Sequence, residues 1–367
     1  MMSKFIVISA GGTGGHMSPA AALAVELKKR GHRVELVTDD RGQKYTNMFP
    51  DVPVHVIKSG TAFAGIMGKV KGAINLLRGI MQGFTLIGKL KPDCVIGFGG
   101  YPSVPAVFAA QKKGIATGLH EQNAILGKAN VFLAPKARFV ALSLPSTEDV
   151  KEHIKAKMVV TGNPVRGEIV ALSEIPYPSM EAGQPIHLFV MGGSLGATIF
   201  SQVVPQALAG LSDAQKSRIK IVQQCRAVDM AKAQAIYDDA GMDATLAPFF
   251  DDVAGELAKA HLFIGRSGAS TVAEVSIAGR PAIYVPYPHH KDQQQKKNAQ
   301  GVADKGGAWI MSEDQFTVEA LQERVQMIFT NAETLSRAAV RAKECGLPDA
   351  AQRLADLVLK ESTARIE

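Results

Sequence analysis

The chain has 367 residues, of which 46% are apolar, 6% aromatic and 20% charged, and its formal net charge is +7. This composition excludes an intrinsically disordered chain, and the length predicts two domains rather than one hydrophobic core. Cys94, Cys225 and Cys345 lie too far apart for a C-x-x-C motif, so neither a disulfide framework nor a thiolate metal site is predicted. An α/β protein rich in aliphatic residues is therefore expected.

The first forty residues predict a strand, a glycine-rich loop, a helix and a second strand. An apolar, β-branched run at 4–10 is followed by Gly11–Gly15, by a helical pattern over 20–30, and by a second strand over 33–38. This order is typical of a βαβ unit, whose two strands are parallel. Further strands of the same sheet are predicted at 94–98, 116–119 and 139–141.

A second unit of the same kind begins at 187–191, where an apolar strand pattern leads into Gly192–Gly196 and another helix. The segment before it, 173–185, contains three prolines and a glycine, which is typical of a linker. We therefore predict one domain over 1–166, completed by a C-terminal helix at about 345–367, and a second domain over 167–344. Further strands of the second domain are predicted at 219–223, 261–264 and 282–285. The predicted fold is two Rossmann-like, doubly wound α/β domains that face each other across a cleft.

Four glycine-rich loops follow predicted strands: Gly11–Gly15, Gly97–Tyr101, Gly192–Gly196 and Gly265–Ala269. Backbone N–H groups of such loops, with the helix that follows, can approach a phosphate closely. One loop alone is equally compatible with a tight turn, but four at strand ends favour a nucleotide site. Met17 stands where G-x-G-x-x-G has its last glycine, and no G-K-[ST] follows, so neither NAD nor ATP is favoured.

Metal-dependent chemistry is not predicted either. The chain contains no D-x-D motif of the kind that could hold a cation on a diphosphate. Asp251 and Asp252 are adjacent, but neighbouring aspartates are more typical of a helix cap, here for a helix that begins near Val253. We expect no metal site and no cofactor.

Seven motifs occur in an order and approximate spacing that identify a family. They are Gly11–His16, Gly99–Tyr101, His120–Asn123, Thr161–Arg166, Gly192–Ser194, Arg266–Glu274 and His290–Gln295. With them the chain resembles, from Lys4 to about Leu359, the inverting N-acetylglucosaminyltransferases that act on the lipid intermediate of peptidoglycan. The resemblance implies the B-type glycosyltransferase fold. It also implies transfer of N-acetylglucosamine (GlcNAc) from its UDP donor to the 4-hydroxyl of the lipid-linked MurNAc-pentapeptide.

The resemblance also implies which residues bind the substrates. The UDP-GlcNAc site would consist of Thr13, Gly14, Gly15, Asn123, Arg166, Ser194, Phe250, Ala269, Ser270, Thr271, Val272, Ala273, Glu274, Gln294 and Gln295, and the acceptor site of Gly99, Gly100 and Tyr101. Amides at a helix start can bind the diphosphate, and the Glu274 carboxylate can accept hydrogen bonds from two ribose hydroxyls. Amide side chains suit sugar hydroxyls because they both donate and accept.

A general base must take the proton of the attacking hydroxyl. His16 is the first candidate, because the positive end of the following helix disfavours its protonated form. Glu121 is the second candidate. His120 is equally compatible with a catalytic role and with an interior histidine whose hydrogen bonds are satisfied.

Two alternative functions fit the same fold. A UDP-GlcNAc 2-epimerase would need no lipid acceptor, and a non-catalytic nucleotide-sugar sensor would bind the donor without releasing UDP. Activity that depends on an acceptor would separate both from a transferase.

The segment 66–84 predicts a helix with one apolar stripe, namely Ile66, Val70, Ile74, Leu77, Met81 and Phe84. Between Asp51 and Asp93 every charged residue is basic: Lys58, Lys69, Lys71, Arg78, Lys89 and Lys91. The stripe could pack on the sheet of the first domain, or it could bind an anionic membrane surface. Both interpretations remain open at this point.

The partners implied are UDP-GlcNAc, undecaprenyl-pyrophosphoryl-MurNAc-pentapeptide, an anionic membrane surface, and other proteins of cell-wall synthesis and division. Nucleic acid is not among them. The apolar run at 4–10 leads directly into glycines and leaves no room for a signal peptide. We therefore expect a peripheral protein on the cytoplasmic face of the bacterial plasma membrane.

Overall fold

The computed structural model describes residues 3–60, 65–145, 150–181, 183–193, 197–289 and 292–363. It divides the chain into two compact units, the first comprising Met1–Arg166 and Leu347–Glu367 and the second comprising Gly167–Gly346. Each unit contains one sheet, and every strand pair in both sheets is parallel. The predicted fold class, two α/β domains, is confirmed.

Up to Arg166, the part of the first unit that the structure describes contains seven strands and five helices. The strands are β1 (Phe5–Ser9), β2 (Arg33–Thr38), β3 (Val54–Val56), β4 (Cys94–Gly97), β5 (Ala116–Glu121), β6 (Phe139–Leu142) and β7 (Met158–Val160). The helices are α1 (Gly14–Lys29), α2 (Gly65–Leu90), α3 (Gly100–Lys112), α4 (Lys128–Leu133) and α5 (Glu152–Lys155), with 3₁₀ turns at Gly42–Met48 and Ala134–Lys136. The strand order is β3-β2-β1-β4-β5-β6-β7.

Both faces of this sheet are buried. Ile6 and Ile8 of β1 belong to one hydrophobic core with α1, whereas Val7, between them, belongs to a second core with α3. Successive side chains of a strand point to opposite faces, so helices must cover both sides of a parallel sheet.

The described residues of the second unit form six strands and nine helices. The strands are β8 (Ile186–Met191), β9 (Ile219–Gln224), β10 (Asp243–Ala247), β11 (Leu262–Gly265), β12 (Ala282–Tyr284) and β13 (Ala308–Ile310). The helices are α6 (Gly167–Ala171), α7 (Thr198–Ala209), α8 (Asp213–Lys216), α9 (Ala227–Asp239), α10 (Val253–Lys259), α11 (Ala269–Ile277), α12 (Gln294–Asp304), α13 (Val318–Thr330) and α14 (Ala332–Lys343), with a 3₁₀ turn at Leu172–Glu174. The strand order is β10-β9-β8-β11-β12-β13.

The last helix, α15 (Ala350–Thr363), belongs to the first unit. Leu354, Ala355 and Val358 are buried in the core that contains α1. Between α14 and α15 the chain passes through Gly346 and Pro348, where the sequence predicts a helix break.

Strand order locates the ligand edge of each sheet. In both units the connection reverses direction between two central strands, β1 and β4 in the first and β8 and β11 in the second. Ligands of doubly wound folds bind outside the carboxyl ends of the strands at such a switch point. All four predicted glycine loops follow these four strands, so each sheet carries two of them at its switch point.

Helix α2 packs on its neighbours through glycines and through Ile87, rather than through Leu77 and Met81 of its apolar stripe. A Cβ on Gly79 would lie 1.8 Å from the Lys58 carbonyl oxygen, and one on Gly83 would lie 2.7 Å from the Pro105 carbonyl oxygen. On another face Leu77 and Met81 are 63% and 70% exposed. Of the two interpretations of the stripe, the structure therefore favours an exposed apolar surface for these two residues.

Val70 and Ile74 of the same stripe are exposed too, and Phe84 is half-buried. The side chains of Ile66 and Lys69 lie outside the described residues. Among the helices that the structure describes, none combines the length and the apolar content that crossing a bilayer requires.

Candidate active site

The loop after β1 leads directly into α1, which begins at Gly14 rather than near Ala20. The amides of His16 and Met17 both donate to the Thr13 carbonyl, at 3.2 Å each. The apolar pattern misses this first turn because Gly14 and Gly15 have no side chain and His16 is polar, so that only Met17 enters the core. His16 is thus in the first turn of α1, with Nδ1 3.3 Å from the Thr13 hydroxyl.

The loop after β4 lies close to His16. Gly99 and Gly100 have φ of 80° and 68°, values that glycine adopts without strain. A Cβ on Gly100 would lie 3.4 Å from His16 Cε1, and one on Gly99 would lie 3.7 Å from Nε2. The structure therefore brings His16 together with two predicted acceptor-binding residues, and Tyr101 lies exposed beside them at the start of α3.

The surroundings of His16 favour its neutral form at pH 7. Burial lowers its pKa, a hydrogen bond with the Gly11 carbonyl opposes this shift, and the nearby Arg41 cation lowers the pKa further. The pKa lies below the ordinary 6.5, so the ring can accept a proton at neutral pH.

His120, at the end of β5, is fully buried. Its Nε2 lies 3.1 Å from the Gly162 carbonyl oxygen, and its Nδ1 lies 2.9 Å from the Gln122 amide nitrogen. Burial lowers the pKa of His120 to about 4. Both ring nitrogens are engaged, which favours the interior histidine over the catalytic one.

Glu121 is also buried, and four N–H groups donate to its carboxylate. They are the Gly127 amide at 2.8 Å, the Asn130 side chain at 2.8 Å, and the backbone and side chain of Asn123 at 3.1 and 3.3 Å. Burial raises the pKa of Glu121, although these hydrogen bonds oppose the shift. Its role in proton transfer stays a prediction, and this network favours a role in holding the loop over 122–130.

In the second unit, six predicted donor-binding residues, Ala269 to Glu274, lie on α11. Gly268 is the N-cap and no side chain caps the helix, so the amides of its first turn point out of the helix end. Ser267 is buried, and its Oγ has no hydrogen-bond partner among the described residues. Glu274, a turn and a half along α11, is half-buried.

Gln294 and Gln295 begin α12, beside the same loop. The Asn298 side chain donates to the Ser267 carbonyl at 3.2 Å, which ties α12 to the start of α11. Gln295 Oε1 accepts from the Tyr287 amide at 2.9 Å. Asn298 thus joins α12, which begins with the two predicted glutamines, to the residue before the N-cap of α11.

Arg266 was not predicted as a site residue, although it lies within the Gly265–Ala269 loop. Its Nη1 donates to the carbonyls of Val285 and Pro286 at 3.0 and 3.1 Å, and its Nη2 pairs with Glu313. Arg266 thereby fixes the segment that leads to Tyr287 and Gln295. Its place in the Arg266–Glu274 motif was the sequence signal that could have found it.

Phe250 lies after β10, with its ring 5.8 Å from that of Phe189. Gln224, at the end of β9, accepts from the Gly192 amide at 3.0 Å and donates to the Pro248 carbonyl at 3.2 Å. This buried glutamine, which sequence reasoning missed, joins the loops after β8 and β10. Ser194 lies outside the described residues.

The Asp251–Asp252 pair acts as predicted. Asp252 is the N-cap of α10, and its Oδ1 accepts from the Gly255 amide at 2.7 Å. In the part of the chain that the structure describes, no three His, Cys, Asp or Glu side chains are grouped so that they could hold a metal ion.

The predicted donor-binding residues are divided between the two units. Thr13, Gly14, Gly15, Asn123 and Arg166 lie in the first, and Phe250, Ala269–Glu274, Gln294 and Gln295 lie in the second. Within the first unit, Thr13–Gly15 follow β1 and Asn123 follows β5, whereas Arg166 comes after the edge strand β7.

Comparisons with known proteins match both units of the chain to one family of glycosyltransferases. Models of the glycosyltransferase family 28 N-terminal and C-terminal domains match residues 6–142 and 187–354. The UDP-N-acetylglucosamine–N-acetylmuramyl-(pentapeptide) pyrophosphoryl-undecaprenol N-acetylglucosamine transferase of Rhodospirillum centenum is 49% identical over 96% of this chain and 93% of its own.

Two solved structures are similar over nearly the whole chain. The crystal structure of Acinetobacter baumannii MurG has a TM-score of 0.79 at 31% identity and covers 97% of this chain and 99% of its own. A putative UDP-N-acetylglucosamine 2-epimerase from Listeria monocytogenes has a TM-score of 0.69, covering 100% and 99%, but at 17% identity it shares only the fold. The chain belongs to the family of UDP-N-acetylglucosamine–N-acetylmuramyl-(pentapeptide) pyrophosphoryl-undecaprenol N-acetylglucosamine transferases.

Proposed function

We infer that this chain transfers GlcNAc from UDP-GlcNAc to the 4-hydroxyl of MurNAc in the lipid-linked MurNAc-pentapeptide, with inversion to a β-linkage. The observation that carries this inference is the 49% identity to a transferase of that name over 96% of the chain. The geometry supports it, because two glycine loops lie at the switch point of each sheet.

We propose that the second unit binds most of the donor. The uncapped start of α11 supplies backbone amides for the diphosphate, and the field of the helix favours the negative charge there. Glu274 would accept hydrogen bonds from the two ribose hydroxyls, and Gln294 and Gln295 would contact the sugar. Phe250 and the Gly192 loop, which Gln224 joins, would border the uracil.

In the first unit, His16 would remove the proton of the attacking hydroxyl. The loop over Gly99 and Gly100 lies close to the His16 ring, so an acceptor bound there with Tyr101 would place its hydroxyl next to the base. Thr13, Gly14, Gly15, Asn123 and Arg166 would contact the donor from this unit. Glu121 would hold the Asn123 loop through the Asn123 and Gly127 amides.

A UDP-release assay tests the function directly. Purified protein with UDP-GlcNAc is expected to release UDP only when a soluble analogue of the lipid-linked acceptor is added, with one disaccharide formed for each UDP. Epimerisation or UDP release without acceptor would support the epimerase instead. Donor binding without any UDP release, with or without acceptor, would support the non-catalytic nucleotide-sugar sensor.

We also propose that the first unit binds the cytoplasmic face of the plasma membrane through α2. Its exposed apolar stripe, Val70, Ile74, Leu77 and Met81, is accompanied by the exposed cations Lys71 and Arg78. Phe132 of α4 is exposed and stacks on Phe108, at 6.0 Å between ring centroids, and Phe108 contacts Phe84 of α2 edge-on. An apolar surface flanked by cations is typical of proteins that bind anionic lipid.

Vesicle sedimentation tests this proposal. The protein is expected to sediment with vesicles rich in phosphatidylglycerol, and ~0.5 M salt should weaken the association. Each basic residue near such a surface contributes ~1 kcal/mol, so Lys71→Gln with Arg78→Gln should weaken binding roughly 30-fold. Leu77→Gln with Met81→Gln should also weaken it, while UDP binding is unchanged.

The matched control is Met327→Gln, which changes another exposed methionine, on α13 of the second unit. It is expected to sediment like the unchanged protein. Equal sedimentation with neutral and anionic vesicles, unaffected by salt and by both pairs of substitutions, would contradict the proposal.

A further inference from the structure

Asp39, directly after β2, is buried, with 4% of its surface exposed. Its Oδ1 accepts from the Gly12 and Gly42 amides at 3.1 and 2.9 Å. Its Oδ2 accepts from the Ser59 hydroxyl at 2.9 Å and from Arg41 Nε at 3.1 Å. Burial raises the pKa of Asp39, but these hydrogen bonds and the Arg41 charge outweigh it and hold the pKa below its ordinary value.

The four donors come from loops after three adjacent strands. Gly12 follows β1, Arg41 and Gly42 follow β2, and Ser59 follows β3. In dinucleotide-binding Rossmann domains a carboxylate near this position accepts ribose hydroxyls. Here both oxygens accept from the protein itself, so the carboxylate joins strand ends.

Gly11 and Gly42, on either side of Asp39, are so closely packed that neither has room for a side chain. A Cβ on Gly11 would lie 2.7 Å from Asp39 Oδ1 and 2.7 Å from Pro102 Cβ. A Cβ on Gly42 would lie 3.0 Å from Gly11 Cα. The loop is therefore held between Asp39 and Pro102, which lies in the first turn of α3.

We propose that Asp39 is a positioning residue whose Oδ1 fixes Gly12 and thereby places His16 in the first turn of α1. The inference rests on the proposed function, in which His16 takes the proton. No motif that identifies the family includes Asp39.

Because the two oxygens of Asp39 accept from different groups, two substitutions can distinguish a geometric role from a role of its charge. In Asp39→Asn the remaining oxygen can keep both amide bonds at the Oδ1 position. The new NH₂ group would face Ser59, whose hydroxyl can turn to accept, and Arg41, which cannot accept. Asp39→Ala loses all four bonds. A geometric role therefore predicts that asparagine, but not alanine, preserves the loop.

We expect Asp39→Ala to lower kcat about 10²-fold, the scale of a misplacement of about 1 Å at a reacting group. Asp39→Asn should lose at most about fivefold, because a half-exposed ion pair such as Asp39–Arg41 contributes little. Asp40→Ala, which removes the exposed neighbouring carboxylate, is the matched control and should leave kcat unchanged.

Hydrogen–deuterium exchange of the free protein gives a readout that needs no substrate. In the peptide over 10–17, Asp39→Ala should speed exchange at Gly12 about tenfold or more, whereas Asp39→Asn and Asp40→Ala should not. Equal losses of kcat in both Asp39 variants, or unchanged exchange in Asp39→Ala, would overturn the proposal. If Asp39→Ala does not fold, a loss above about tenfold in Asp39→Asn would overturn it alone. Absence of transfer by the unchanged protein would refute the proposed function, while exchange still decides the role of Asp39.

Discussion

Replacing His16 by alanine is expected to lower kcat roughly 10²–10⁴-fold, the usual range for removal of a general base. The acceptor hydroxyl is a weak nucleophile until its proton leaves, and His16 lies close to the loop that would present it. Burial, opposed by the Gly11 hydrogen bond and reinforced by Arg41, keeps the pKa of His16 below 6.5. The acid limb of the kcat profile should therefore lie below that pH and disappear in the variant.

Measuring donor binding distinguishes a catalytic role of His16 from a structural one. His16→Ala should bind UDP-GlcNAc in calorimetry as the unchanged protein does, and added imidazole should restore part of kcat. His153→Ala, an exposed histidine of the same unit, is the matched control and should be unaffected. Lost donor binding with a normal kcat at saturation would make His16 structural, and Glu121 would become the candidate base.

The four strands that the sequence did not predict lie at the edges of the two sheets. They are β3 and β7 in the first sheet and β10 and β13 in the second. Central strands are buried on both faces and read as apolar runs. Edge strands such as β3 and β7 have three residues each and are largely solvent-accessible, so hydrophobic pattern carries little signal for them. The ligand edge was predictable because it depends on the central strands alone.

The motifs located the loops of the candidate site but not the residues that join them. Asp39, Gln224 and Asn298 act through hydrogen bonds to backbone groups that are distant in sequence. Each is one polar residue at a strand end or on a helix, a pattern found throughout the chain. Only the tertiary structure tells which of them meet a glycine loop.

For helix α2 too, the sequence predicted only part of what the structure shows. Its periodicity predicts an apolar stripe, but the stripe does not reveal which face packs inside. The buried residues of α2 are Gly72, Gly79, Gly83 and Ile87, and at Gly79 and Gly83 only glycine lets the helix approach backbone carbonyls so closely. The choice between core packing and an exposed apolar surface therefore required the structure.

Glu274→Ala is expected to raise KM for UDP-GlcNAc roughly 10- to 150-fold. Hydrogen bonds to a charged acceptor contribute ~1.5–3 kcal/mol, and two ribose hydroxyls would lose theirs. The ribose is remote from the anomeric carbon, so the bonds stabilise ground state and transition state alike and kcat should change little. Glu323→Ala, on the exposed face of α13 in the same unit, is the matched control and should leave KM unchanged.

A double-mutant cycle ties this loss to the ribose rather than to a general disturbance of α11. The unchanged protein should bind 2′-deoxy-UDP more weakly than UDP, because one hydroxyl no longer donates to Glu274. In Glu274→Ala the two nucleotides should bind equally, since the acceptor for that hydroxyl is gone. Glu274 lies a turn and a half beyond the uncapped amides of α11, so diphosphate and ribose would be bound along one helix. If Glu274→Ala bound UDP like the unchanged protein, or still discriminated fully against 2′-deoxy-UDP, the ribose would have to bind elsewhere.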